Sequence, residues 1–239
     1  MRQITDFHTH ILPRLDDGSR SVEESLELLR REAEQGVTHV VATPHFYANH
    51  NNPQAFLEAR REAEETLRQA MAAHPSLPTL SVGAEVHFFE GMSDAECLQE
   101  MALGRCLLVE MPHGLWTDRQ LHELEGLYQK RGLVPVIAHL DRYLIPIQGM
   151  QLISRLLHLS VPVLFQFNAS FFTGLSRRKA VQLFSQGVVH LLGSDCHDLR
   201  TRVPNIQNAL AVVERRLGAA AVEEFAANQQ ALLADLCRL

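Results

Sequence analysis

Seven short apolar runs, separated by longer stretches of helical period, restrict this chain more than any other feature. The runs fall at residues 4–7, 38–42, 79–82, 106–109, 134–138, 161–167 and 188–192, and 86–89 extends the third. Between them, 21–35, 56–73, 118–131, 151–159 and 176–186 place apolar residues at helical spacing, and the tail from Pro204 reads as mostly helical. Ser21 followed by Glu24 marks a helix start, and Gly36 its end. Short β-branched runs alternating with helices demand parallel strands joined by right-handed crossovers. Strand number and length favour an α/β fold, a seven-stranded (β/α)7 TIM-like barrel in a single domain over 1–239, above a two-domain split. No internal repeat, low-complexity segment or linker interrupts it.

Residues able to bind metal stand just past the ends of these runs. The first carries Asp6-Phe7-His8-Thr9-His10, and two histidines two apart on an extended chain point the same way. Pro13 then ends regular pairing, and Asp16-Asp17-Gly18 makes an acidic turn. His45 follows the second run, Glu85 the third, Glu110 the fourth, His139 the fifth, and Asp195 with His197 the seventh. Each residue alone has an ordinary explanation: a loop cap, a solvated carboxylate, a buried histidine. Their joint placement on six of seven strands points to a metal centre, because barrels of this kind do their chemistry at the C-terminal strand ends.

With Asp17 there are nine candidate ligands: five histidines, two aspartates and two glutamates. One tetrahedral zinc takes about four protein ligands, so this set implies two or three ions and a bridging carboxylate. Imidazole and carboxylate without thiolate suit manganese, iron or zinc alike. Clustered divalent ions bind phosphate oxygens and acidify water, which makes phosphoester hydrolysis the natural chemistry and amide hydrolysis the weaker alternative. Arg142, three residues past His139, and Arg202, five past His197, are positioned to grip phosphate with planar forks. Asp141 is a candidate acid for the leaving group, or an arginine partner. Cys196 and Arg202 share the spacing of a thiol phosphatase loop, but the intervening residues contain no glycine and include His197, so a thiol mechanism is not expected. His50, His87, His113, His122 and His158 receive no special role, and Phe46, Tyr47 and Trp116 suit a pocket wall and ordinary packing equally.

The segments DFHTHILPRLDDG, EESLEL, ATPH, GAE, LLVEMP, VIAHLDRY and GSDCH, in this order over nearly the whole chain, resemble the PHP (polymerase and histidinol phosphatase) superfamily. Within it they resemble most the bacterial manganese-dependent protein tyrosine phosphatases of capsule and exopolysaccharide loci. The resemblance implies a distorted seven-stranded barrel with three metals, Mn2+ first among them. It implies one ion on His8, His10, Glu85 and Asp195, a second sharing Glu85 with Glu110 and His139, and a third on Asp17, His45 and His197. Asp17 holds the family position, with Asp16 as its rival, and Arg142 and Arg202 would hold the phosphate. The implied substrate is a phosphotyrosine protein, a bacterial tyrosine kinase. The chain departs from the family in a short segment between Glu85 and Glu110, in Leu140-Asp141 where Pro-Glu is common, and in Phe46-Tyr47 where a basic cluster is usual.

Charge and composition narrow the rest. A net charge of -6 without a long basic run argues against nucleic acid, and no apolar run reaches membrane length. Four scattered cysteines fit a reducing compartment, and a first strand beginning near Met1 leaves no room for a signal peptide, so a cytoplasmic location is expected. The alternatives are a small-molecule phosphatase of the histidinol-phosphate type and a metal-binding regulator without turnover.

Overall fold

The computed structural model describes residues 3–144 and 149–237. Its strands are β1 (Ile4–Thr9), β2 (Val37–Ala42), β3 (His45–Phe46), β4 (Thr79–Val82), β5 (Glu85–His87), β6 (Cys106–Glu110), β7 (Val134–Ile137), β8 (Leu164–Asn168) and β9 (Leu191–Gly193). The helices are α1 (Val22–Glu34), α2 (Pro53–Met71), α3 (Leu98–Met101), α4 (Asp118–Arg131), α5 (Gly149–Leu157), α6 (Arg177–Ser185), α7 (Ile206–Leu217) and α8 (Ala219–Leu232).

All strand pairs are parallel, as the alternation of runs and helices requires. They form a three-stranded sheet, β1-β2-β4, and a six-stranded sheet, β3-β5-β6-β7-β8-β9. Among the described residues nine strands appear where seven runs were read, because pairing resumes past the second run and the extended third run is broken. Thr43-Pro44 separates β2 from β3, and proline has no N–H for a ladder. Gly83-Ala84 separates β4 from β5. Backbone bonds from Gly83 N to Ala42 O (2.9 Å) and Glu85 N to Pro44 O (3.0 Å) carry the pairing across both breaks. The outer edges of the two sheets also meet: Asp195 N donates to His8 O (2.8 Å) and His10 N to Cys196 O (2.9 Å).

Local chemistry sets the boundaries. Ser21 caps α1 by accepting from Glu24 N (3.2 Å), while Glu24 reaches back to Arg20 N (2.8 Å), one residue before the usual capping-box donor. Helix α2 starts three residues earlier than the periodicity indicates, because Asn52 caps it and Pro53 takes the first turn, where a missing N–H costs nothing. Thr117 and Gln120 complete a reciprocal capping box on α4, and Gly132 ends it in the left-handed conformation. Strand β8 begins at Leu164 rather than 161, past Pro162, and extends to Asn168. Strand β9 begins only at Leu191.

Most buried apolar side chains pack between strands and helices, with Leu28, Leu29, Leu67, Leu124 and Leu127 from α1, α2 and α4 fully enclosed. Each such side chain contributes about 1.5–3 kcal/mol. A separate cluster takes Phe7, Val41, Leu108, Val136 and Leu191 from β1, β2, β6, β7 and β9. Side chains from five strands meet at one place only if the parallel array curls, and this plug lies on its concave side. Among the described residues, no helix is long and apolar enough to cross a membrane.

Candidate metal centre

All nine residues read as ligands come together, most of them at or just past the C-terminal ends of strands and His45 and Glu85 at the starts of the short β3 and β5. His8 lies within β1 and His10 just beyond it, where the β1–β2 register slips between Asp6 and Thr9. His45 opens β3, Glu85 opens β5 and Glu110 closes β6, so the two strand breaks place ligands inside the array. His139 and Asp195 follow β7 and β9 with left-handed backbones, φ 34° and 56°, which turn each chain sharply off its strand. Close packing holds this end: a Cβ on Gly193 would sit 2.5 Å from His8 Cβ, and one on Gly18 would sit 2.1 Å from His10 O.

The histidine tautomers follow from their far nitrogens. His8 Nδ1 lies 3.1 Å from Gln166 Oε1, and His10 Nδ1 2.7 Å from Asp16 Oδ2. Each of those oxygens is an acceptor, so each ring carries its proton on Nδ1 and presents Nε2 as a bare lone pair. The two Nε2 atoms are 3.1 Å apart. Glu85 Oε2 stands 3.1 and 3.3 Å from them, and Asp195 Oδ1 3.6 and 3.5 Å. Four acceptors around one point repel unless a cation lies among them. Bonds of about 2.1 Å to a divalent ion would set neighbouring donors about 3.0–3.5 Å apart, close to what is seen.

Two further groups lie alongside. His10, Asp17, His45 and His197 bring one donor each within 4.8 Å of one another, and so do His45, Glu85 and Glu110. His139 Nε2 approaches Glu85 Oε1 at 2.9 Å and Glu110 Oε1 at 3.5 Å. Buried His45 Nδ1 and His197 Nε2 have no hydrogen-bond partner among the described residues. The residues present therefore fit divalent ions. Glu85 touches His8, His10, His45 and His139 and so joins the His8–His10 group to the His45–Glu110 group. Burial alone would raise its pKa; where the facing rings carry a proton on Nε2, the charge on His8 and hydrogen bonds from His10 and His139 outweigh burial and hold it well below the usual range, a part that an ion would take over once those nitrogens are bare. Asp195 is likewise held low against burial by His8 and His10.

Asp16 and Asp17, equivalent in the sequence, differ in place. Asp17 is exposed, with Oδ1 3.3 Å from His197 Nε2 and 3.7 Å from His45 Nε2. Asp16 is turned inward and accepts from His10, from His45 N (3.0 Å) and from Gly18 N (3.0 Å).

Arg142 and Arg202 both reach Asp195, Arg202 at 2.6 Å. Arg142 also lies 4.0 Å from Glu110, and Arg202 3.9 Å from Asp17. Asp141 is buried, accepts from Asn168 N (2.8 Å), and is raised by that burial to about 6. Cys196 is fully buried, and burial pushes its thiol far up, away from any thiolate chemistry.

Sequence reasoning missed the contribution of β8. Gln166 accepts from His8 and from His139 N, and its Nε2 donates to Asn168 Oδ1 (3.1 Å). Asn168 in turn donates to Asp195 Oδ2 (3.0 Å). The signal was present as two amides at alternate positions of an apolar strand, in Phe165-Gln166-Phe167-Asn168. His87, given no role, sits with Nδ1 3.1 Å from Glu110 Oε2.

Residues 4–234 match the family model described as capsular polysaccharide synthesis, CpsB/CapC. The chain belongs to the CpsB/CapC family. It is 28% identical over 237 residues to the tyrosine-protein phosphatase YwqE of Bacillus subtilis, covering 95% of this chain and 91% of YwqE. It is 26% identical over 250 residues to the tyrosine-protein phosphatase CpsB of Streptococcus pneumoniae, covering 96% and 98%. The fold matches one of the crystal structures of YwqE and CpsB, described as unique metal-dependent tyrosine phosphatases, with a TM-score of 0.79 at 25% identity over 98% of this chain and 94% of that one. The PHP-type phosphatase resemblance seen in the motifs is thereby met, and in this CpsB/CapC member the motif histidines and carboxylates are the residues that converge at the strand ends.

Proposed function

We propose that this chain is a metal-dependent phosphatase that hydrolyses phosphotyrosine in a protein substrate. The observation that carries this is the meeting of four acceptors from His8, His10, Glu85 and Asp195 at one point, with two guanidiniums on its border. In this reading the chain is one domain, and β2/β3 and β4/β5 each count as one broken stave of a distorted seven-stave (β/α)7 barrel. The ions would be Mn2+, and the residues that would hold them are His8, His10, Glu85 and Asp195; Glu85, Glu110 and His139; and Asp17, His45 and His197. His45 stands close enough to Glu85, at 3.2 Å, to serve the second group as well.

Bound divalent ions supply Lewis acidity toward the phosphate and toward the attacking water. The chain's own residues do the rest. Gln166 and Asp16 fix the tautomers of His8 and His10. Arg142 and Arg202 offer planar forks to the oxygens that the ions leave free, and they stabilise charge as it develops. Asp141 is assigned to holding Asn168, and through it Asp195, rather than to proton delivery, because its Oδ1 is engaged beneath the site. The substrate in this reading is a bacterial tyrosine kinase of polysaccharide assembly, met by this protein in the cytoplasm, and a family of capsular polysaccharide synthesis is in keeping with it.

The test is a panel of phosphotyrosine peptide, phosphoserine peptide and histidinol phosphate, assayed after chelation and after Mn2+ addition. Phosphotyrosine is hydrolysed fastest, chelation abolishes turnover, Mn2+ restores it, and Cys196→Ser retains most of it. A dead Cys196→Ser enzyme with full metal content overturns the mechanism, and a preference for histidinol phosphate overturns the substrate class.

A further inference from the structure

The border of the site has two unlike halves. One arc runs from Asp17 through Arg202, Asp195 and Arg142 to Glu110, by contacts of 3.9 Å from Asp17 to Arg202, 2.6 Å from Arg202 to Asp195, a close pair of Asp195 with Arg142, and 4.0 Å from Arg142 to Glu110. The other returns from Glu110 through His87 at 3.1 Å, from the His87 ring to Tyr47 at 5.5 Å, from Tyr47 to the His45 ring at 5.2 Å, and from His45 to Asp17 at 3.7 Å. All the guanidiniums of the border are on the first arc. Tyr47 is on the second.

The main chain at Tyr47 is pinned by hydrogen bonds. Its N–H donates to Asn51 Oδ1 (2.9 Å), and its carbonyl accepts from His50 N (2.9 Å) and Asn51 N (2.8 Å). Asn52 then caps α2, so the turn is clamped between β3 and a helix. The ring is half-buried, with the His45, His87 and His50 rings at 5.2, 5.5 and 6.4 Å from it.

Resting on the phosphatase reading above, we propose that Tyr47 is the residue that makes this site select aryl phosphates, by stacking on the aromatic ring of the ester. A phosphate anchored on the ions and the arginine arc directs its organic group away from those cations, toward the arc that carries His87 and Tyr47. An offset or edge-on ring there meets a flat surface at the spacing aromatic pairs adopt. A serine or alkyl phosphate has no ring to offer and gains nothing from it. The stacking is made equally in ground and transition states, so it acts on affinity more than on turnover.

The test uses Mn2+-loaded protein and two non-hydrolysable probes, phenylphosphonate and butylphosphonate, with Kd read by calorimetry. In Tyr47→Leu, which keeps apolar bulk without a ring, the ratio of the two affinities shifts against phenylphosphonate by about 3- to 10-fold, the size an aromatic pair supplies. Tyr47→Phe keeps the wild-type ratio. An unchanged ratio in Tyr47→Leu, or an equal loss for both probes, overturns the proposal. Failure of the wild-type protein to hydrolyse phenyl phosphate overturns the phosphatase reading beneath it, and is seen before any variant is made.

Discussion

Asp16→Asn isolates an effect that neither the ions nor the substrate contacts directly. Asp16 accepts three bonds: Oδ1 from Gly18 N at 3.0 Å, and Oδ2 from His45 N at 3.0 Å and His10 Nδ1 at 2.7 Å. An asparagine has one oxygen. Placed with its NH2 at the Oδ2 position it would face two donors and lose two bonds; turned over, it faces Gly18 N and loses one. The second arrangement wins, at a net cost of about 1 kcal/mol for the lost bond. The two retained bonds also lose their anionic acceptor, and charge-assisted bonds are about twice as strong as neutral ones. Although burial raises it, the Asp16 carboxyl is held at about 2 by His10, so at pH 7 the comparison is between a full anion and a neutral amide. The portion of the loss that falls on His10 loosens its ring and lowers its basicity. A drop of about 10- to 100-fold in metal affinity is expected, which is the range for groups that orient ligands. The assay is competition with a chromogenic chelator at pH 7, with a thermal melt to confirm the fold and elemental analysis beside Asp17→Asn. Asp17→Asn should lose a metal equivalent, while Asp16→Asn refills at higher metal. Wild-type affinity in Asp16→Asn, or permanent loss of an ion there with none lost in Asp17→Asn, would refute the assignment of the two aspartates.

Arg142→Ala should lose about 10²–10³ in kcat/KM on a phosphotyrosine peptide with its metal content intact, the usual effect of removing one electrostatic donor. Arg142→Lys keeps charge without the planar fork and should stay impaired; near-wild-type kinetics in Arg142→Ala would leave Arg202 alone to grip phosphate. Asp141→Asn should stay within about tenfold of wild type in kcat, since general-acid catalysis is worth about 10²–10⁴ and Asp141 is assigned none of it. A loss of that larger size, with the basic-side limb of the pH profile removed, would make Asp141 the acid after all.

The ligands were legible because they stand at or just past strand ends, and most lie within three residues of a turn residue that a single sequence displays: Pro13, Gly18, Pro44, Gly83, Pro112 or Gly193. Strand ends could be located to within a residue or two from apolar runs, and ligand chemistry is restricted to few residue types. The strand breaks were not legible. Thr43-Pro44 reads as a stop, and nothing local shows that the chain resumes pairing at His45 with a different set of neighbours. The separate roles of Asp16 and Asp17 were invisible for a similar reason. Adjacent carboxylates in one turn are distinguished by which way the turn folds: Asp16 turns in to nearby His10 and Gly18 as well as to His45, and Asp17 out toward His197, which is distant in sequence. Gln166 escaped because a buried amide on a strand is ordinarily satisfied by its own neighbours; here its partner is a histidine 158 residues away.

Asp195 joins two kinds of binding. One of its oxygens faces His8 and His10, and both arginines hold the same carboxylate. A single negative charge is thus shared between the ion side of the site and the phosphate side. Ions that draw on that charge reduce its hold on Arg142 and Arg202, and leave both guanidiniums more available to an incoming phosphate. Linkage then requires the converse: whatever factor the ions add to the affinity for phosphate, phosphate adds to the affinity for the ions. Product phosphate, still bound after hydrolysis, would therefore retain the metals through the turnover cycle, and the protein would be most easily stripped of them when its substrate is scarce.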